Sequence, residues 1–183
     1  FWDVHAEIFD PDAGLFNRDA RSKPHRTRNG KKVLWSRGNG WAFGGVTRVL
    51  KYLPNDHPSY ACYKALYIQM AESLATRQQD DGFWRPNLDD PKQYDFRESS
   101  GTGFFTYGIA WGINNGILDR ERFLPVAKKG WAALASVVNE EGAVTWNQPP
   151  GGGPGLVKET DSTEYGAGIF LLAASEMIQL ETK

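Results

Sequence analysis

The chain has 183 residues, of which 40% are hydrophobic, so its length and composition fall within the ordinary range of one globular domain. Its 21 basic and 22 acidic side chains leave a net charge of −1. This balance argues against nucleic acid and anionic membranes as partners, because both are held by broad positive charge.

The few cysteine and histidine residues argue against metal chemistry. A single cysteine, Cys62, excludes an internal disulfide and a cysteine-based zinc cluster. His5, His25 and His57 lack the close spacing of a metal pair on one helix. We therefore expect a buried thiol, histidines at the surface or with satisfied hydrogen bonds, no metal and no cofactor.

The chain begins at Phe1-Trp2-Asp3, without a methionine, a basic leader or an apolar leader segment. A repeated pattern starts only a few residues later, with no polar cap before it. We therefore expect residues 1–183 to form a single domain that is the C-terminal part of a longer protein.

Three similar units recur at intervals of about 60 to 70 residues, a period typical of stacked helical pairs. Each unit begins with a glycine followed by apolar or aromatic residues, and then reaches a Gly/Ser/Thr-rich step that opens an almost uncharged helix. The turns begin at Gly14, Gly82 and Gly142, and the steps contain Gly38, Gly101 and Gly166.

Helices of two kinds alternate along the units. Residues 41–50, 103–118 and 165–175 carry one charge or none, which predicts inner helices covered on nearly all sides. Residues 60–79 and 122–138 carry an apolar stripe, which predicts outer helices with one wet side.

Smaller features refine this pattern. Pro125 is compatible with the second outer helix only in its first turn. Residues 32–35 and 143–146 are predicted to form hairpins at one rim. Glycines in the inner helices indicate close backbone packing, unless the helix ends lie elsewhere. These glycines are Gly44, Gly45, Gly108, Gly112, Gly166 and Gly168.

Helical pairs joined head to tail bring the N-termini of the inner helices to one face. Unpaired N–H groups and positive helix ends favour anions there, so we expect the binding site at this face. Glu98 and Ser100 would either cap the second inner helix or contact a ligand. Trp84 and Trp111 are expected in the core.

Three segments resemble glycoside hydrolase family 105, which comprises unsaturated rhamnogalacturonyl and glucuronyl hydrolases. They read WSRGNGW at residues 35–41, ESSGTGFFTYGIAWGINNG at residues 98–116 and YGAGIFLLA at residues 165–173. The resemblance extends over nearly the whole chain. It implies an all-α fold, an (α/α)6 toroid of helical hairpins, of which this chain supplies about three of six as the C-terminal half.

The resemblance also implies a reaction. In this family an aspartic acid protonates the double bond between carbons 4 and 5 of a terminal unsaturated uronic acid, and water adds at carbon 5. The resulting hemiketal opens and releases the sugar. No segment here matches the surroundings of that aspartic acid, so the catalytic residue is unknown and is expected upstream of residue 1.

By the same resemblance, Trp35 and Trp41 would stack on the sugar ring, and Arg37 would bind the uronate or an adjacent sugar oxygen. An indole face suits the C–H surface of a sugar, and a guanidinium pairs with a carboxylate. Many relatives place a histidine of the site near position 17, whereas this chain has Arg18 and Asp19. These two residues either take part in the site or form an exposed ion pair.

Two hypotheses follow. In the first, the chain is the C-terminal half of an unsaturated uronyl hydrolase that acts on an acidic oligosaccharide, inactive or nearly so without its N-terminal half. In the second, it is a non-catalytic carbohydrate-binding half-toroid that associates with itself. The resemblance is compatible with either the bacterial cytoplasm or the periplasm.

Overall fold

A computed structural model describes residues 1–182. Helices dominate it, and the predicted all-α fold class is confirmed. In chain order the described elements are α1 (Trp2–Ile8), β1 (Phe9–Asp10), β2 (Leu15–Phe16), a 3-10 turn (Ala20–Ser22), α2 (Ser36–Tyr52), α3 (Tyr60–Ala75), α4 (Ser99–Asn114), α5 (Arg120–Ala135) and α6 (Glu164–Glu181). β1 and β2 pair antiparallel, with Phe9 opposite Phe16.

Helix α4 is the centre of the fold. All of its residues from Ser99 to Ile113 are buried, and it packs against α2, α5 and α6. The other two inner helices are not covered on all sides as predicted. Within the predicted spans, Trp41 on α2 is 53% exposed and Leu171 on α6 is 66% exposed. This expectation was wrong because α2 and α6 lie at the two flanks, where each has one unpartnered side.

The outer helices α3 and α5 pack outside this inner layer, as predicted. α3 buries Tyr67, Met70 and Leu74 from its apolar stripe. α5 begins at Arg120, two residues before the predicted start, so Pro125 lies in its second turn and not in its first. Asp119 provides this early start, because its carboxylate accepts a hydrogen bond from the Arg122 N–H.

The three-unit pattern is visible in the backbone. Gly14, Gly82 and Gly142, which open the three units, have positive φ angles of 65°, 87° and 82°. Glycine adopts this conformation without the steric cost of a side chain.

The units are also joined in the same way. The first N–H of α2, from Ser36, donates to Pro86 O, and the first N–H of α4, from Ser99, donates to Trp146 O, each at 2.9 Å. Pro86 and Trp146 each lie four residues after the glycine of the next unit. Each inner helix is therefore anchored at its start to the following turn.

The predicted rim hairpins do not form as strands. Lys32 makes one bridge with Arg26, and Val144 makes one bridge with Val138. Trp35 pairs instead with Asn87 of the next unit. The segment at residues 32–35 thus pairs mainly with the next unit, whereas the segment at residues 143–146 folds back locally on residues 137–139.

Close packing explains four of the six glycines singled out from the sequence. A Cβ built on Gly44, Gly108, Gly112 or Gly166 would lie within 3 Å of a side-chain atom of a residue outside its own helix. The explanation is wrong for the other two, since a Cβ on Gly45 or Gly168 meets nothing within 4 Å.

Cys62 is exposed, so the expected buried thiol is also wrong. Among residues 1–182, no group of three or more His, Cys, Asp or Glu side chains is arranged to hold a metal ion. Over the same residues, no helix has the length and apolar character needed to cross a membrane.

Candidate functional site

The N-terminal ends of α2 and α6 meet the segment that connects α5 to α6. Arg37, in the first turn of α2, is the residue that joins them. Its guanidinium donates to Gln148 O, to Pro149 O at 3.0 Å from both terminal nitrogens, and to the Tyr165 hydroxyl at 2.7 Å. It also lies over the rings of Trp35 and Tyr165, 4.7 and 5.5 Å from their centroids. Arg37 is 4% exposed, so most of its interactions are with the protein itself.

Gln148 is the second centre of this network. Its side-chain oxygen accepts a hydrogen bond from the Trp35 indole N–H, and its side-chain nitrogen donates to Gly153 O, both at 2.9 Å. Its backbone carbonyl accepts hydrogen bonds from Arg37 and from the Tyr165 hydroxyl. One buried glutamine thus fixes the Trp35 ring, the Arg37 head group and the segment that follows it.

The backbone just before Gln148 is held in a strained conformation. Trp146 has a φ of 54°, in the left-handed region that residues with a side chain rarely adopt. Next to it, Asn147 is fully buried and bonds to the Ser99 hydroxyl at 3.0 Å and to the Thr163 hydroxyl. Such strain persists where the surroundings over-determine the backbone, and it is common at functional sites.

Glu98 places a carboxylate at the start of α4. It is fully buried and accepts hydrogen bonds from the N–H groups of Ser100 at 2.9 Å and Gly101 at 2.7 Å, and from the Ser100 hydroxyl. This geometry confirms the capping interpretation. Burial raises the pKa of the Glu98 carboxyl, whereas the hydrogen bonds from Ser100 and Gly101 and the charge of Arg37 oppose that shift.

The indoles of the first motif lie at the same end of α2. Trp41 is 53% exposed, and its ring lies 4.6 Å from Phe104 and 6.4 Å from Tyr165 between centroids. Trp35 is half-buried and lines a pocket of about 260 Å³. Both rings are therefore open, at least in part, to a ligand.

Arg18 lines the same pocket as Trp35. Its guanidinium lies 3.5 Å from the Asp19 carboxylate, and both side chains are partly exposed. Asp19 also caps the 3-10 turn, where the hydrogen bond from the Ser22 hydroxyl lowers the pKa of Asp19. The predicted site residues thus form two neighbouring groups, Arg37 with the indoles and Arg18 with Asp19.

The sequence analysis did not single out Gln148 or Tyr165, and their roles in the network were missed. A signal was available for this segment. Asn147 lies five residues after Gly142, as Asn87 does after Gly82, and both asparagines are fully buried. The repeat therefore marks the segment as structurally important. Trp84 and Trp111 are buried, which confirms their predicted place in the core.

Residues 1–181 match the model of Glycosyl Hydrolase Family 88. The chain is 46% identical to an unsaturated 3S-rhamnoglycuronyl hydrolase of Alteromonas sp. (strain LOR), over 97% of this chain and 43% of that protein. It is 40% identical to a protein of the same name from Formosa agariphila, over 99% of this chain and 50% of that protein. The chain spans about half the length of these curated relatives.

Solved structures show the same relation. A glycosyl hydrolase family 88 protein from Bacteroides vulgatus superposes with a TM-score of 0.93 at 38% identity, over 97% of this chain and 53% of that one. A possible member of the GH105 family from Salmonella enterica superposes with a TM-score of 0.82 at 22% identity, over 99% and 48% of the two chains. At 22% identity, the second likeness shows the fold alone. The shared fold spans about half of the Salmonella chain.

Proposed function

This chain belongs to Glycosyl Hydrolase Family 88, and on that premise we propose that it forms the C-terminal half of an unsaturated uronyl hydrolase. The match over residues 1–181 is the observation that carries the proposal. The names of two relatives at 46% and 40% identity support an unsaturated uronyl substrate. The finer assignment to glycoside hydrolase family 105 is part of the same proposal, supported by the three motif segments.

The proposed reaction divides its work between the two halves. A general acid outside this chain protonates carbon 4 of the unsaturated uronic acid, and water adds at carbon 5. The hemiketal so formed opens and releases the neighbouring sugar. This chain supplies the binding rim, where Trp35 and Trp41 offer ring faces, Arg18 and Asp19 offer charge and hydrogen bonds, and the buried Arg37 adds positive charge.

Turnover by the full gene product that contains this chain tests the proposal, because hydration removes the absorbance of the double bond. We expect Trp41→Ala to lower kcat/KM by about tenfold or more, since an exposed stacking surface contributes on the order of 1 kcal/mol or more. Tyr52→Ala is the comparison variant, because it removes an aromatic ring at the opposite end of the same helix, away from the rim.

Two results would contradict this function. One is a full gene product that leaves the double bond of acidic unsaturated oligosaccharides intact. The other is a Trp41→Ala variant as active as the Tyr52→Ala control. The isolated chain should show little or no turnover, and addition of the polypeptide that precedes it should restore activity.

The second candidate function is a non-catalytic carbohydrate-binding half-toroid that associates with itself. The exposed apolar residues Leu171 and Ile178 on α6 favour it, because exposed apolar side chains on a helix favour association. It predicts a change in tryptophan fluorescence on addition of acidic oligosaccharide, without loss of the double bond. A flat titration would remove this candidate.

A further inference from the structure

Two arginines lie at the rim, and the protein uses them differently. Arg37 is 4% exposed, and both of its terminal nitrogens donate to backbone carbonyls of the 148–149 segment. The Tyr165 hydroxyl accepts a further hydrogen bond from it. An anionic ligand would have to displace these contacts to bind Arg37, because its terminal nitrogens already donate to the protein.

Arg18, by contrast, has a side chain that is 49% exposed. Its hydrogen bond to Asp19 is long, at 3.5 Å. The Asp19 carboxylate is engaged more closely by the Ser22 N–H at 2.9 Å and the Ser22 hydroxyl at 2.8 Å. Arg18 therefore keeps most of its donors for a ligand, at the edge of the pocket that Trp35 lines.

The Pro- and Gly-rich loop of residues 149–155, here the rim loop, connects the two arginines. Arg37 donates to Pro149 O, at the first residue of the rim loop. The Gln148 side chain donates to Gly153 O, further along the same loop. Between these anchors lies Gly152, where a built Cβ would be 3.3 Å from both Cζ and Nη2 of Arg18. The rim loop thus passes beside the Arg18 guanidinium, at a residue without a side chain.

We propose that Arg18 binds the carboxylate of the acidic sugar, and that Arg37 and Gln148 are positioning residues that hold the rim loop beside it. This inference rests on the proposed function, since it assigns roles within the same site. The planar guanidinium of Arg18 matches a carboxylate through two parallel hydrogen bonds. The Trp35 ring lines the same pocket and offers the apolar surface that a sugar ring needs.

The first test compares an unsaturated uronyl disaccharide with its methyl ester, as substrates of the full gene product. Arg18→Gln should lower kcat/KM for the acid by about tenfold, mainly by raising KM, because it removes the charge-assisted hydrogen bonds to the carboxylate. Its kcat/KM for the ester should stay near that of the wild type, and Arg18→Lys should recover part of the loss. Arg21→Gln is the matched control, since Arg21 also pairs with Asp19 but has a side chain 89% exposed.

The second test examines the positioning residues by two measurements, kinetics and limited proteolysis of the free protein. Arg37→Gln and Gln148→Ala should both expose the rim loop to a broad-specificity protease, with cleavage between residues 149 and 155 located by mass spectrometry. Both should lower kcat/KM for the acid and the ester alike. Gln148→Ala is informative because it removes the anchor without removing a charge.

One combination of results would overturn the inference. In it, Arg37→Gln loses activity on the acid alone and keeps the rim loop protected from the protease, while Arg18→Gln behaves like the Arg21→Gln control. An equal loss on acid and ester in Arg18→Gln would also overturn it. Failure of the proposed function has a different signature, because the wild-type protein would then consume neither the acid nor the ester. The proteolysis result would still report the anchoring of the rim loop.

Discussion

Glu98 brings an ionisable group into a part of the molecule from which water is excluded. Its carboxylate caps α4 and has no exposed surface. Burial raises its pKa above the ordinary value of 4.5, although Ser100, Gly101 and Arg37 stabilise the charged form. The folded protein therefore binds the Glu98 proton more tightly than the unfolded chain does.

This shift predicts how stability changes with pH. Between pH 4.5 and the raised pKa, the folded state holds more protons than the unfolded state, so the contribution of Glu98 to the free energy of unfolding falls as pH rises. The wild type should lose stability relative to Glu98→Gln as pH rises through this window. Glu98→Ala, which removes the cap, should cost about 1 kcal/mol.

Urea denaturation at a series of pH values measures these differences. Ser100→Ala should extend the window to higher pH, because the hydrogen bond from the Ser100 hydroxyl lowers the pKa of Glu98. A wild type that instead gained stability relative to Glu98→Gln with rising pH would show that the carboxylate is stabilised by its site.

At the scale of residues, the sequence predicted what local geometry determines. Trp35, Arg37 and Trp41 lie within two turns of the chain, so their placement at one end of α2 follows from the helix. The partners of Arg37 could not be predicted, because Gln148 and Tyr165 lie more than a hundred residues away. The exposure of Cys62 could have been predicted, because position 62 lies outside the apolar stripe of α3.

The inner helices α2 and α4 approach each other through glycines that face aromatic rings. Phe104 of α4 lies where a Cβ on Gly40 or Gly44 would be, 2.8 Å away in each case. Phe43 of α2 lies where a Cβ on Gly108 would be. Each ring thus fills the space that glycine leaves on the neighbouring helix, which compensates for the weak helix propensity of glycine.

A pair of alanine substitutions tests this packing. Gly108→Ala should destabilise the protein by about 2 kcal/mol, because the fully buried Phe43 ring has little room to move. Gly45→Ala should stabilise it by about 1 kcal/mol, since its Cβ meets nothing within 4 Å and alanine favours the helix. Equilibrium unfolding of the chain in urea measures both. Equal effects of the two substitutions would contradict the packing argument.

At the scale of elements, low charge identified the inner helices, but their ends could not be read from the glycine-rich steps. The steps were expected to precede the helices, whereas α2 begins at Ser36 and α4 at Ser99, so Gly38 and Gly101 lie inside. Glu98 caps α4 through the Gly101 N–H, and Ser36 of α2 lies where a Cβ on Gly101 would be. The cap is local and was among the interpretations of Glu98, whereas the contact with Ser36 cannot be judged without the neighbouring unit.

At the scale of the whole molecule, each flanking helix of the inner layer has one exposed side. α2 exposes Trp41 and Tyr52, and α6 exposes Leu171 and Ile178. A pocket of about 570 Å³ opens beside Tyr52 and reaches the buried Glu176 of α6. The low charge of α2 and α6 predicted burial, and the other half of a toroid would cover their exposed sides. The chain covers about half of its relatives, which also supports such a second half. Low charge predicted burial, and it could not predict which sides of α2 and α6 this chain leaves open.

The isolated chain should therefore associate with itself in a concentration-dependent manner, because large apolar side chains on two flanking helices gain free energy when water is excluded from them. Leu171→Glu combined with Ile178→Lys should weaken the association at least about tenfold, since burying each of these side chains contributes on the order of 1.5–3 kcal/mol. Sedimentation velocity over a range of concentrations measures the effect. Leu156→Glu is the matched control, because Leu156 is equally exposed, at 67%, but lies in the connection before α6. A chain that is monomeric at every concentration, or a control as disruptive as the double variant, would contradict self-association through the exposed side of α6.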